Sequence, residues 1–205
     1  MPKKIRVPLS RERIFDAALA VADRDGGSAV TMRAVAREVG VEAMSLYYHV
    51  RDREDLLDGL AETLVRTGLA APSGNSAHSI LSGFARGIRA TALAHPEAFY
   101  LVGLRPLRSP EAAGAIERLL TALGSAGMSP EVAVTSYRVL AAYARGYALS
   151  ETAGLTFGPG VDTPLPAELE RYAAALGRDT QSVFEAGLSA IIGGLATKKP
   201  SSRRN

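Results

Sequence analysis

The chain has 205 residues, 47% of them hydrophobic, enough for one large domain or for a small domain joined to a larger one. It has no cysteine, which excludes disulfides and thiolate metal sites and fits a reducing cytoplasm. The net charge is +3 with a pI near 9.3, but residues 1–60 carry ten Lys/Arg against ten Asp/Glu, so a whole-domain basic footprint for nucleic acid is excluded.

The basic excess sits in the first 14 residues and in the tail KKPSSRRN; segments 1–7 and 198–205 read as basic, flexible termini. No apolar stretch follows the basic start, so no secretory signal is expected. The late apolar stretch SVFEAGLSAIIGGLA is too short for a membrane span and contains Glu185. Abundant alanine, short β-branched runs and recurrent helical spacing predict an all-α protein.

In chain order, Ser10 caps a first helix with Ile14, Ala18, Val21 and Ala22 on its apolar stripe, ended by Gly26-Gly27. Thr31 caps a second, short helix, MRAVARE, which Gly40 breaks. A third short helix covers roughly 42–48. Asp52 caps a fourth, about 52–69, with Glu54 and Asp55 at its positive dipole end and Leu56, Leu57, Leu60 and Leu64 on its buried face. The composition breaks at APSGNSAH, 71–78, which predicts two domains, 8–70 and 76–197. Further helices are expected near 76–95, 96–105, 110–125, 130–152, 166–177 and 181–197. Pro96, Pro110, Pro130 and Pro166 stand at helix starts, and GLTFGPGVDTPLP, 154–166, reads as the longest loop.

Residues 31–50 meet the demands of a helix-turn-helix. Its steep crossing needs a small residue on the first helix (Ala36), a residue at ease with positive φ in the turn (Gly40) and an inward apolar anchor on the second helix (Leu46). Val35, Val39 and Val41 close the small core. An ordinary αα-hairpin satisfies the same pattern. With Leu46 and Val41 inward, Ala43, Met44, Ser45, Tyr47 and Tyr48 are left outward or at the edges. Outward aromatics next to His49, Arg51 and Arg53 suit a helix lying in a DNA groove, with phenols on phosphates and rings on sugars or thymine methyls.

The segment TMRAVAREVGVEAMSLYYHVRDREDLLDGL resembles the DNA-binding domain of the Tet repressor family. The shared features are its Thr-x-Arg start, Ala-x-x-x-Gly-Val turn, Leu-Tyr-aromatic-His run and basic helix start before Leu-Leu. GLRPLRSPEAAGAIERLLTALGSAGMSPEVAV and FEAGLSAIIGGL resemble parts of the tetracycline-repressor-like C-terminal domain. The resemblance implies an N-terminal three-helix helix-turn-helix DNA-binding domain and a larger helical regulatory and dimerisation domain. The implied function is a ligand-responsive transcriptional regulator, most simply a repressor. It would bind a palindromic operator in double-stranded DNA as a homodimer and be released by a small effector. The implied DNA-binding residues are Thr31, Arg33, Ala43, Met44, Ser45, Tyr47, Tyr48, His49 and Arg53. Tetracycline repressors carry Gln-Pro-Thr where this chain has Ala43-Met44-Ser45, and Ala and Met make no bidentate base contacts, so a different operator is expected.

The same resemblance implies an effector pocket, for which Tyr100, Leu101, Leu104, Arg105, Tyr137, Tyr143 and Tyr147 are candidates. Leu101 and Leu104 stand where tetracycline repressors have polar drug contacts. An apolar or aromatic effector is therefore expected rather than a tetracycline–magnesium chelate. Helices 130–152 and 181–197 are the candidate dimer surface, with Gly187, Leu188, Ile191, Ile192 and Leu195 as its residues; packing within one chain would use the same set. Tilting the fourth helix would change the spacing of two recognition helices, so effector binding is expected to lower operator affinity. His49, His78 and His95 lack metal-ligand spacing and no nucleophile motif or phosphate loop is present. The chain is thus not read as an enzyme, and no cofactor, metal or membrane partner is expected.

Overall fold

A computed structural model of the chain describes residues 8–68, 74–153 and 179–196. Among these the secondary structure is entirely helical: α1 (Arg11–Asp25), a 3-10 turn (Gly27–Ala29), α2 (Met32–Val39), α3 (Ala43–Leu46), α4 (Arg53–Gly68), α5 (Ala77–Ala94), α6 (Pro96–Val102), α7 (Pro110–Ser125), α8 (Pro130–Thr152) and α9 (Thr180–Ala196). None of these helices is long and apolar enough to cross a membrane. The expected helix at 166–177, the expected loop at 154–166 and the two basic termini lie outside the described residues.

The helix starts follow their capping residues. The side chains of Ser10, Thr31 and Ser129 accept from the backbone N–H groups of Arg13, Ala34 and Val132, and Asp52 accepts from Asp55 N–H at 2.8 Å. Each cap satisfies one of the N–H groups that a helix start leaves without a partner. The third and sixth helices are shorter than their sequence pattern suggests. α3 is a single turn, continued by bonds from His49 N–H and Val50 N–H to Leu46 C=O. α6 stops at Val102 and leads into a turn in which Arg105 N–H donates to Val102 C=O. The 3-10 turn after α1 is not predicted by the Gly26-Gly27 pair, which signals only a helix stop.

The chain forms two compact units. One contains α1–α4, the last turn of α5, α6 and the first turn of α7; the other contains the rest of α5 and α7, with α8 and α9. In the first unit α1 packs against α2, α4 and α6, and α2 against α3. Its core is the stripe expected for α1 (Ile14, Ala18, Val21, Ala22) with Val35, Leu46, Val50, Leu56, Leu60 and Phe99, all buried. Gly59 of α4 faces the Phe15 ring so closely that an added Cβ would overlap three ring carbons. In the second unit α8 packs on α9 around buried Leu140, Ala144, Ala148, Phe184 and Leu188.

Candidate nucleic-acid interface

The α2–α3 pair has the geometry its sequence requires. Gly40 ends α2 in the left-handed conformation at φ 76°, ψ 38°. Gly40 N–H donates to Arg37 C=O at 3.2 Å and Val41 N–H to Ala36 C=O at 3.0 Å, closing the C-terminus of the helix. An added Cβ at Gly40 would meet nothing within 4 Å, so the glycine serves backbone conformation rather than space. Beyond the turn, Leu46 is fully buried where α3 packs on α2, and Val35 and Ala36 of α2 are buried as well.

That anchor fixes which side chains face out. Met44 is 71% exposed, Tyr47 48% and Tyr48 90%. Ala43, Ser45 and His49 are half-buried at the edges of the same turn, and Arg33 is exposed in the first turn of α2. Thr31 is exposed, but its hydroxyl oxygen is occupied in capping α2 at 3.2 Å from Ala34 N. Arg53 opens α4 with its guanidinium 4.0 Å from Glu54. A nearly bare Tyr48 ring has no role in the core of this unit. An exposed aromatic and apolar row bordered by arginines can stack on sugars, touch thymine methyls and donate to phosphates.

Behind the row lies a polar clamp that sequence reasoning missed. Arg11, the first residue of α1, donates to the backbone carbonyl of His49 and forks onto Asp55 of α4 at 2.8 and 3.3 Å. Asp55 also accepts Arg51 N–H at 2.9 Å. The hydrogen bond from Arg11, helped by the backbone bond from Arg51, holds the buried Asp55 carboxyl at about 2 against the usual 3.8. A second arginine, Arg105, ties the end of α6 to α4 through Asp58 at 2.7 Å and Glu54 at 2.8 Å. His95 Nδ1 lies 2.8 Å from Asp23 Oδ2, and Glu97 accepts Gly27 N–H at 3.1 Å, so α6 is also pinned to the end of α1. The partners are about 40 to 70 residues apart in sequence, beyond the reach of local pattern.

The candidate effector residues divide between the two units. Tyr100 and Leu104 are exposed on α6 and just beyond it, Leu101 is half-buried, and Arg105 is engaged as described. In the other unit Tyr137 lies against Phe84 at 5.7 Å between centroids. Tyr143 stacks on Phe184 at 5.4 Å and donates to its carbonyl at 2.8 Å. Tyr147 packs at 5.3 Å from the same ring and donates to Thr180 C=O at 2.7 Å. Burial pushes both phenols above their ordinary pKa. Arg89 lies over the Phe184 ring, 5.3 Å from its centroid, and pairs with Glu151 at 2.6 Å. Burial pushes the Glu151 carboxyl up, but bonds from Arg89 and Thr180 outweigh it and hold it below the usual range.

Of the candidate dimer residues, Leu188 and Ile192 are buried within the chain and Ile191 and Leu195 half-buried. Gly187 makes room for Tyr143, whose hydroxyl an added Cβ would overlap and whose Cζ it would approach to 2.9 Å. The exposed residues of these helices include Val139, Ala142 and Gly146 on α8 and Val183, Ala186, Ala190 and Gly193 on α9, beside Glu131, Arg138, Gln181, Ser182 and Ser189. The 3–4 spacing of the apolar and small ones makes a stripe on each helix.

A buried anchor, a left-handed glycine turn and an outward aromatic row define a helix-turn-helix DNA-binding protein. The comparisons agree. Residues 14–60 match the model of bacterial regulatory proteins of the tetR family, and residues 72–199 match the tetracyclin repressor-like C-terminal domain. Tetracycline repressor protein class A from transposon 1721 of Escherichia coli is 31% identical, over 93% of this chain and 92% of that one. An HTH-type transcriptional regulator of Saccharopolyspora erythraea is 28% identical over 92% of this chain and 85% of that one. Streptomyces coelicolor ActR, solved in complex with actinorhodin, superposes with a TM-score of 0.78 at 27% identity, covering 96% of this chain and 99% of that one. The chain belongs to the TetR family of transcriptional regulators, with a tetracycline-repressor-like C-terminal domain. It is a DNA-binding regulator and not an enzyme.

Proposed function

We propose that this regulator is a cytoplasmic repressor that binds a palindromic operator as a homodimer and is released by a small apolar or aromatic effector. Residues 8–70 are the DNA-binding domain and 76–197 the effector and dimerisation domain. The observation that carries the DNA-binding part is the exposed row Met44, Tyr47 and Tyr48 over a fully buried Leu46. In this reading Ala43, Met44 and Ser45 face base edges, and Tyr47, Tyr48, His49, Arg33 and Arg53 hold the backbone. Two copies spaced by one helical turn, roughly 34 Å, read the two half-sites. The small-residue stripes on α8 and α9 support a four-helix interface between two copies. The apolar character of Tyr100, Leu101 and Leu104, and the actinorhodin complex of ActR, support an aromatic effector rather than a metal chelate.

Gel-shift titration on the DNA upstream of the protein's own gene tests this reading. Tyr48→Ala, at a side chain outside the core, is expected to leave the unfolding midpoint unchanged and to weaken binding about tenfold, as loss of a phosphate contact and ring packing would. Changes at Ala43–Ser45 are expected to alter which sequence is preferred. Unaltered affinity in Tyr48→Ala would sink the placement of this row on DNA. Thermal-shift screening of aromatic and hydrophobic small molecules tests the effector class, and no stabilisation across a broad panel would count against it.

A further inference from the structure

We propose that Arg11 is a positioning residue for DNA binding: by occupying Asp55, it keeps the side chain of Arg51 available for a DNA phosphate. Nothing in the recognition helix itself identifies either residue. Three N–H groups donate to one carboxylate. Asp55 Oδ1 accepts from Arg11 Nη2 at 2.8 Å, and Oδ2 accepts from Arg11 Nη1 at 3.3 Å and from Arg51 N–H at 2.9 Å. The Asp55 side chain is only 8% exposed, so its charge must be compensated by the protein. Arg51, four residues before Asp55, offers a second cation. Its Nε is 3.5 Å from Oδ2, outside good hydrogen-bond distance, and its side chain is 84% exposed. The carboxylate's close partners are thus Arg11 and a backbone N–H, while the Arg51 side chain, in a looser ion pair with it, stays largely exposed to solvent.

Removing Arg11 leaves a buried anion with one neighbouring cation that reaches it by a rotamer change. The pair Arg51–Asp55 would tighten, and the protein would lose a phosphate contact without any substitution at Arg51. Arg11 also donates to the His49 carbonyl, so the same guanidinium fixes the end of the recognition turn against the start of α4.

The inference rests on the DNA-binding reading, and its test is chosen to separate the two. Phosphate contacts are independent of sequence, so a short duplex of arbitrary sequence serves as the probe, with the slope of log K against log salt as the readout. Each phosphate neutralised contributes about 0.9 to that slope. Arg11→Ala is expected to reduce the slope by about 0.9 per bound chain, or about a threefold smaller loss of affinity over a fourfold rise in salt. Arg51→Ala should give the same reduction, with Arg11→Ala adding nothing on top of it. Adding Asp55→Asn to Arg11→Ala removes the competing charge and should restore the slope. General destabilisation would not be reversed in this way. Arg11→Lys, which keeps a cation at Asp55, should retain the wild-type slope and provides the test if Arg11→Ala does not fold. An unchanged slope in Arg11→Ala, or a reduced slope that Asp55→Asn fails to restore, would overturn the proposal; the second result would mean that Arg11 acts through its bond to the His49 carbonyl or by touching DNA itself. Loss of the slope in Arg11→Lys would overturn it as well. Absence of salt-dependent binding by the unsubstituted protein would overturn the DNA-binding reading with it.

Discussion

Gly59→Ala tests the packing on which the DNA-binding unit rests. The position is in the interior of α4, where alanine is intrinsically better than glycine by about 1 kcal/mol. The site forbids that gain. A Cβ there would overlap Cε1, Cζ and Cε2 of Phe15, so the whole ring must move rather than one terminal atom. Phe15 is 6% exposed in the α1–α4 contact and lies under the Arg11 guanidinium, 4.9 Å from the ring centroid. Expelling the ring forfeits roughly 1.5–3 kcal/mol of burial and about 0.5 kcal/mol of cation–π attraction. Keeping it inside by shifting the helices costs roughly 1–3 kcal/mol of overpacking. After subtracting the helix-propensity gain, the net loss is about 1–2 kcal/mol. Urea unfolding followed by circular dichroism measures it, with Gly124→Ala as the control, since an added Cβ there meets nothing within 4 Å. The control should be neutral or slightly stabilising. Pairing Gly59→Ala with Phe15→Leu should recover part of the loss, because the smaller side chain vacates the overlap. A Gly59→Ala protein as stable as the wild type would refute the packing argument.

Two further outcomes follow from the same structure. The folded Asp55 carboxyl, at about 2, lies below its ordinary 3.8, so its contribution of about 2 kcal/mol is fully present above that ordinary value and is lost as pH falls through the folded one; acid titration of Asp55→Asn should show a shallower decline between about pH 5 and pH 2 than wild type, and equal declines would remove Asp55 from the account. Gly146 of α8 has open space around an added Cβ, so Gly146→Leu should leave the single chain folded but abolish a dimer that brings the α8 stripes together; sedimentation equilibrium reads this, and an undiminished dimer would exclude that face.

Much of the first unit was legible in the sequence because its signals are local. Ser10, Thr31 and Asp52 cap within three residues of themselves, and Gly40 ends α2 because the turn needs a backbone that β-carbon-bearing residues avoid. The outward character of Tyr47 and Tyr48 followed from the inward one of Leu46, since a single short helix cannot bury both faces against one core. The tight ends of α3 and α6 were less legible, because apolar periodicity continues through a turn as readily as through a helix. The sequence left Gly187 between close approach of two chains and packing within one, and the fold has it making room for Tyr143 of the same chain.

What only the tertiary structure decided is how distant charges are used. Arg11 with Asp55, Arg105 with Asp58 and Glu54, and Arg89 with Glu151 join residues about 44 to 62 positions apart. No periodicity or cap signal encodes such partners, because a salt bridge depends on where two helices cross and not on either helix alone. The sequence determined that this chain is helical, carries a helix-turn-helix and presents an aromatic edge. The packing determined that Arg11 is bonded to both the His49 carbonyl and Asp55, while the Arg51 side chain stays largely exposed.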